Sequence, residues 1–372
     1  MERPTVPRED LSSSQDAPAP LEPLSPQDLS PAFLSDLGRR VAHRTWRLGI
    51  ERWFWGEGVA LLGLVRFGQA AGTDDQERVS SWIAARLGRD LVLEHVNDLA
   101  PGIAALALED GRRHLDALAS LAKWSTESPT ATRAGNGALE HWPGGVWADT
   151  MFMAGAFLAR YGRASGDVSF IEEAGRQLIA HAEILQDERS GLFAHGSHRG
   201  ETIWCFWGRA NAWAALAAVE FLEVSAEGGV DEGLRTEVQE RLARQLTTLA
   251  AIQPAHGVWD VLVDGMPETA GIVETSATAG IAAAMLRARE LLPGLSPSVV
   301  EAGRRAARGA LAYVDDEGAL TRVSAGTILQ LIPFGYSVIR DDRPQLWGQG
   351  LALAAIAAAI GDAARGPIGS EP

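Results

Sequence analysis

The stretch GGVWADTMFMAGAFLAR (residues 144–160) places one acid, Asp149, two residues after Trp147 and at the head of a long apolar helix. Two chemistries are open to it. As a helix cap, an aspartate accepts backbone N–H bonds at a helix start. As a general acid beside Trp147, it would be partly desolvated, which raises a carboxylate's pKa and makes its proton usable. The two roles are compatible only if one carboxylate oxygen stays free, and the residues alone leave both readings open.

A second constellation is WGRANAW (residues 207–213). Arg209 and Trp213 stand four apart and share a helix face. Together they can hold a carboxylate and the ring that bears it, the arginine through a bidentate fork. A surface salt bridge is the plainer use of such an arginine, and Asn211 serves equally as a helix-head amide or a ligand contact. His141, His195 and His198 lie in the Gly-rich loops EHWPGGVW and GLFAHGSHRGE, where they can touch a substrate. No HxxxH or HExxH spacing occurs, so no metal site is expected. Phosphate-loop, Rossmann and nucleophile-elbow patterns are missing too, and no cofactor is expected.

These residues belong to a repeating element. Six segments begin with a polar, often Trp- or Gly-bearing head and run into a small-residue apolar helix; they start at Trp55, Asn97, Trp147, Trp207, Glu274 and Trp347. Amphipathic stretches such as VSFIEEAGRQLIAHAEIL (residues 168–185) alternate with them. A helix apolar on most sides is buried among other helices, and one with a charged face lies outside. The expected fold is all-α, an (α/α)6 toroid of inner and outer rings. An open array of helical hairpins is the competing architecture, but the spacing between heads grows along the chain and the extra length falls in loops before the inner helices. Consecutive inner helices then run the same way, and Glu57, Asn97, Asp98, Asp149, Arg209, Asn211, Glu274 and Gln349 converge on one mouth. Trp55, Trp147, Trp207, Trp213 and Trp347 are its expected walls. Indole faces set among carboxylates, amides and an arginine suit a carbohydrate, although each tryptophan alone is as well explained by core filling.

Composition bounds the rest. The chain has 372 residues, twelve tryptophans against three tyrosines, and a net charge of -15. That charge argues against nucleic acid as a partner. The single Cys205 leaves no intrachain disulfide to form. Residues 1–32 are rich in Pro, Ser and acids, without the pattern of a secretory signal or membrane span, and read as a disordered arm. Residues 33–364 form the expected catalytic domain and residues 365–372 a flexible tail. A cytoplasmic protein with no membrane partner is the expectation; the oligomeric state is left open.

The segments VWADTMFMAGAFLARYGRASGD, LQDERSGLFAHG and FWGRANAWAALAAVEFL together resemble the unsaturated rhamnogalacturonyl hydrolases of glycoside hydrolase family 105 and the related family 88. HGVWDVLVDGMPETAGIVETSATAGIAAAM, VSAGT and LWGQGLALAA continue the likeness in order, over about residues 40–362. The resemblance implies an (α/α)6 fold and an uncommon glycosidase chemistry. A 4,5-unsaturated uronic acid at the non-reducing end is hydrated: an aspartate protonates C4 and activates the water that adds at C5, and the resulting hemiketal opens and releases the neighbouring sugar. The W-x-D-T motif assigns that aspartate to Asp149. It places Trp147, Trp207, Arg209, Asn211, Trp213 and Trp347 along the substrate, with His141 and His195 nearby. Asp98, or Asn97 in its place, corresponds to a second cleft residue. The family's glycines in GRGNGW are Ala210 and Ala212 here, two methyls that either narrow the cleft or lie against a neighbouring helix. A sugar epimerase or an inverting glycosidase on the same toroid is the alternative enzyme, with a His pair or Asp98 and Asp149 as its acid and base. A catalytically silent glycan-binding protein is the alternative outside catalysis.

Overall fold

Helices built largely from alanine and glycine can approach one another closely, and the apolar segments of this chain do so in a closed ring. The computed structural model describes residues 19–88, 95–226 and 229–366. In chain order the helices are α1 (Pro31–Leu48), α2 (Trp55–Ala71), α3 (Asp75–Leu87), α4 (Ala100–Ala107), α5 (Leu115–Glu127), α6 (Ala148–Thr150) and α7 (Phe157–Ser165). They continue as α8 (Val168–Leu185), α9 (Gly208–Ser225), α10 (Glu232–Ala251), α11 (Thr275–Leu291), α12 (Pro297–Leu311), α13 (Pro333–Ser337) and α14 (Leu346–Arg365). A six-residue π-helical stretch, Met151–Ala156, joins α6 to α7. Between α8 and α9 lies an antiparallel hairpin, β1 (Gly196–His198) and β2 (Glu201–Ile203), with Gly196 opposite Ile203.

The inner ring runs α2, α4, α6–α7, α9, α11 and α14, and it closes where α14 packs on α2. The outer ring is α1, α3, α5, α8, α10 and α12. This is the (α/α)6 toroid, and the ring closure rules out the open array. The seam of α2 and α14 depends on two glycines. A Cβ on Gly63 would overlap the backbone of Gly350, and one on Gly350 would overlap that of Val59. By length and composition α14 could also cross a membrane, but here it is packed between α1, α2 and α11.

Helix starts differ around the rings. Four outer helices carry side-chain caps: Ser30 on α1, Asp167 on α8, Asp231 on α10 and Ser296 on α12 each accept a first-turn N–H, as Glu274 does on inner helix α11. Inner helices α2, α9 and α14 start after Phe54, Trp207 and Gln345, and no side chain caps them. The positive ends of their dipoles lie at the mouth of the ring, although the first N–H of α9, that of Gly208, is taken by the Val261 carbonyl at 2.8 Å.

The opposite end is closed by charge. Glu220 of α9, almost fully buried, binds Arg66 of α2 at 2.9 Å, Arg287 of α11 at 2.6 Å and the Nε of Arg160 of α7 at 2.6 Å. Glu223 joins the cluster through Arg66 and Arg287 at 3.0 and 2.7 Å. Four of the six inner helices are thereby tied together. Burial by itself would raise the pKa of Glu220, but Arg160, Arg287 and Arg66 outweigh it and hold the carboxyl well below the usual range.

Part of the segment expected to be disordered is packed. The Leu21 N–H donates to the hydroxyl of Tyr313 at 2.9 Å and the Leu24 N–H to the Arg308 carbonyl at 3.2 Å, so this stretch runs along α12. Helix α1 begins at Pro31, just before the expected boundary at residue 33. Residues 1–18 of the arm and 367–372 of the tail lie outside the described residues.

Two expectations test this account. Glu220→Gln leaves Arg160 without a counter-charge, and unfolding in denaturant should show a loss of about 3–5 kcal/mol. Because the folded pKa of Glu220 is depressed, its contribution is complete above the unfolded value near ~4.3. It is lost as pH falls through the folded value below that, so the difference between wild type and variant should shrink in strong acid. Gly350→Ala should force α2 and α14 apart at a cost of about 1–3 kcal/mol, whereas Gly135→Ala, with open space at its Cβ position, should leave thermal unfolding nearly unchanged.

Candidate active site

Asp149 is the second residue of α6, whose N-cap position is taken by Trp147 in extended conformation. The Trp147 backbone pairs with Gly196, and the Ala148 N–H donates to the His195 carbonyl at 3.0 Å. The hairpin loop therefore fixes where the helix starts. No side-chain cap bond is made at this start. Of the two roles open in the sequence, capping is not the one the carboxylate fills. The chain then widens into the π-helical stretch, a distortion that recurs at functional sites.

The Asp149 Oδ2 atom is buried without a hydrogen-bond partner in the protein, as is the His195 Nε2 atom. The two face each other at 3.5 Å, beyond the length of a formed hydrogen bond but well within reach of charge. Desolvation alone would raise the Asp149 pKa, as expected beside Trp147. It is outweighed chiefly by His195, with smaller contributions from His141 and Arg209, so the net direction is down. In the free site Asp149 is therefore an ionised carboxylate.

Around this pair the rings form a continuous arc. His95 meets His141 edge-on at 5.4 Å, and His141 stacks on Trp147 at 4.6 Å and 5°. Trp147 meets His195 at 5.4 Å, and His195 meets Trp207 at 4.2 Å. The Arg209 guanidinium lies 4.4 Å over Trp207 and 5.7 Å from Trp347, which contacts Trp55 at 4.5 Å. The arc joins the heads of α2, α6, α9 and α14 with the loop before α4, so the heads of the inner ring do converge. His141 also bonds the Thr150 hydroxyl at 3.0 Å, and burial pushes its pKa down to about 3. It is neutral at ordinary pH.

Arg209 is held differently from the expected open fork. Its Nη1 donates to the Ser324 hydroxyl at 2.7 Å and the Ser324 carbonyl at 3.0 Å, and sits 3.3 Å from Glu274. Nη2 donates to the Ala325 carbonyl at 3.0 Å. Only Nε is buried without a partner. Glu274 itself accepts from Ala277 N–H at the head of α11 and from Ser324 N–H at 2.9 Å. Both guanidinium ends are thus spent on the scaffold, and the ring partners are Trp207 and Trp347, not Trp213.

The other expected residues divide into wall and support. Trp213 is fully buried and stacks on Phe152 at 5.1 Å, behind the wall it was expected to form. Asn211 accepts from Phe193 N–H at 2.9 Å and donates to the Phe193 carbonyl at 3.0 Å, anchoring the loop that carries His195. Gln349 likewise clamps the Leu320 N–H and the Gly318 carbonyl, at 2.7 and 2.9 Å. Asp98 accepts from the His95 N–H at 3.0 Å in a capping box that holds the turn before α4. Neighbouring Asn97 is buried, and its backbone N–H donates to His95 Nδ1 at 3.0 Å. Glu57 pairs with Arg52 at 2.9 Å. His198 and Arg199 are exposed at the hairpin tip. Among the described residues no group of three His, Cys, Asp or Glu side chains is placed to hold a metal ion.

The methyl of Ala212 lies against α11: a Cβ on Gly280 would come within 2.8 Å of it. The glycine missing from α9 is thus matched by one on its neighbour, and Ala212, like Ala210, is fully buried. Sequence reasoning did not single out two residues of the site, His95 and Tyr336. His95 Nε2 is buried and unpartnered beside Trp142, with ring centres 4.3 Å apart. Tyr336 is fully buried and its hydroxyl lies 2.7 Å from His195 Nδ1. His95 stands two residues before Asn97, a nearness that could have drawn notice. Nothing in the spacing of Tyr336 relates it to the site.

The geometry can be set beside known proteins. The family model of Glycosyl Hydrolase Family 88 matches residues 39–360. The unsaturated rhamnogalacturonyl hydrolase YesR of Bacillus subtilis is 30% identical over 340 residues, which is 86% of this chain and 92% of that protein. Among solved structures, a possible member of family GH105 from Salmonella enterica superposes with a TM-score of 0.79 at 24% identity, covering 92% of this chain and all of that one. The unsaturated glucuronyl hydrolase of Bacillus sp. GL1 gives 0.65 at 16% identity, over 88% and 96% of the two chains. The toroid, the match along nearly the whole ring and the relationship to YesR lead to one conclusion: the chain belongs to glycosyl hydrolase family 88, among the unsaturated uronyl hydrolases of families 88 and 105.

Proposed function

We propose that this hydrolase removes a 4,5-unsaturated uronic acid from the non-reducing end of lyase-generated oligosaccharides by hydrating the vinyl ether, with Asp149 carrying the proton. The observation that carries the reading is the Asp149 carboxylate facing His195 across 3.5 Å inside an arc of aromatic rings. The unsaturated ring would lie against the partly exposed Trp147, with Trp207 buried behind it between His195 and Arg209. Arg209 Nε and the uncapped heads of α2, α9 and α14 favour the uronate negative charge. His141, Asn97, Asp98 and Trp347 complete the proposed contact set, with Asn211 and Trp213 supporting it from behind. We place the enzyme in the cytoplasm, acting on oligosaccharides imported after external cleavage.

The reaction needs the acid first. Asp149 is ionised in the free site, but an arriving uronate is a like charge that also displaces water, and both effects raise its proton affinity. The carboxylic acid then protonates C4, and the resulting carboxylate draws a proton from the water adding at C5. The hemiketal collapses, the ring opens and the neighbouring sugar leaves. The alternatives find less support. Asp98 is engaged in its capping box, which weakens an inverting pair. His141 binds a proton only near pH 3, which weakens an epimerase that relies on a His pair.

The measurement is the ultraviolet absorbance of the conjugated double bond, followed with a panel of unsaturated disaccharides. Absorbance should fall with at least one member, which also names the leaving sugar; no fall across the panel with folded protein would overturn the reading. Asp149→Asn should keep the fold, since the carboxylate caps nothing, and lower turnover by about 10²–10⁴-fold. Because delivery requires a protonated Asp149 whose free pKa lies below the ordinary carboxylate value, kcat/KM should already be declining as pH rises from mildly acidic to neutral and should go on falling above it. A flat profile there would assign the proton to another group.

A further inference from the structure

The loop between α12 and α14 reaches the site twice. Its Ser324 and Ala325 end holds Arg209. Its other end, around α13, exposes Ile332, Phe334 and Val338 yet turns Tyr336 fully inward. The Tyr336 hydroxyl lies 2.7 Å from His195 Nδ1, and the Gln330 N–H points at the same oxygen at 3.4 Å.

A tyrosine hydroxyl has one hydrogen to give. The Gln330 N–H donates to its oxygen, so that hydrogen is free to go to His195 Nδ1. The imidazole proton then sits on Nε2, aimed at Asp149 Oδ2 3.5 Å away. The opposite arrangement, with Nδ1–H donating to the tyrosine, would turn a bare Nε2 lone pair toward the carboxylate with no proton between two acceptors. Burial raises the Tyr336 pKa, which keeps it a neutral phenol with its hydrogen in place.

We infer that Tyr336 is a positioning residue: it fixes His195 as the Nε2–H tautomer, so that His195 presents a proton to the Asp149 carboxylate and not a lone pair. This rests on the reading of Asp149 as the proton carrier only for its kinetic consequence; the tautomer itself is a property of the free protein. Holding the charge of Asp149 between its acid and base steps falls to that Nε2–H, and removing the hydroxyl leaves the ring free to take either tautomer.

The test is Tyr336→Phe, which keeps the aromatic body against Trp207 and His195 and deletes only the hydroxyl. With histidine labelled in nitrogen-15, the His195 resonances, assigned by their loss in His195→Gln, should report Nδ1 unprotonated and Nε2 protonated in wild type. In Tyr336→Phe they should report a mixture of tautomers. With an unsaturated disaccharide that wild type consumes, kcat should fall by about 10–100-fold, by analogy with the loss of a partner that orients a metal-bound histidine, while KM and thermal midpoint change little. A wild-type His195 protonated on Nδ1, or an unchanged tautomer and kcat in Tyr336→Phe, overturns the proposal. Failure of every disaccharide to react would overturn the functional reading, while the nuclear magnetic resonance result would still decide the role of Tyr336.

Discussion

Glu274 is the buried anion on which the mouth of the ring depends. It caps α11, holds Ser324 by both its backbone and its hydroxyl, and faces Arg209. Arg209 in turn is the flat surface on which Trp207 rests and toward which Trp347 is turned. One carboxylate thus joins the heads of α9 and α11, the loop from Ser324 and, through Trp207, the ring of His195. A fully buried charge is tolerated only when paired and hydrogen-bonded, and here the partners that satisfy it are the elements a binding site has to align. The arginine expected to seize a substrate by both ends serves first as the keystone of the wall.

The two ends of the toroid solve opposite problems. At the far end every carboxylate oxygen of Glu220 is engaged by guanidinium groups from three other inner helices. At the mouth, Asp149 Oδ2, His195 Nε2, His95 Nε2, Trp207 Nε1 and Arg209 Nε are all buried without protein partners. Leaving such groups unpaired costs free energy, and these five share one arc of rings. The far cluster and the glycine seam between α2 and α14 supply the rigidity that lets the mouth remain unsatisfied.

The ring was legible in the sequence because its cause is local: small-residue helices behind polar heads, repeated six times, have to be buried together. Asp149 was legible as a residue of interest for the same reason, since its motif joins an indole, an acid and an apolar helix within a few positions. Its electrostatics were not. Desolvation beside Trp147 was readable from neighbours in the chain, but the opposing influence comes from His195, which the hairpin brings back across the helix start. Trp213 and Asn211 were placed correctly on α9, yet their helix rotates them toward Phe152 and Phe193, contacts that depend on neighbours far away in sequence. Tyr336 was invisible because a loop residue with no periodicity gains its meaning only from the turn that folds it under the site.

Net charge also misleads when read for the whole chain. A protein at -15 seems ill suited to an anionic sugar, but potential in a cleft is set by what lies within a Debye length, about 8–10 Å in physiological salt. Within the arc the acids are either matched or held: Glu274 by Arg209 and its hydrogen bonds, Asp98 by the His95 backbone, Glu57 by Arg52. Against them stand the uncapped heads of three long helices, whose positive ends all face the mouth. Asp149 is the acid of the arc whose Oδ2 is buried without a hydrogen-bond partner. An approaching uronate therefore meets a locally favourable field and a single like charge, and relieving that one repulsion by taking up a proton is the step that would arm Asp149 as an acid.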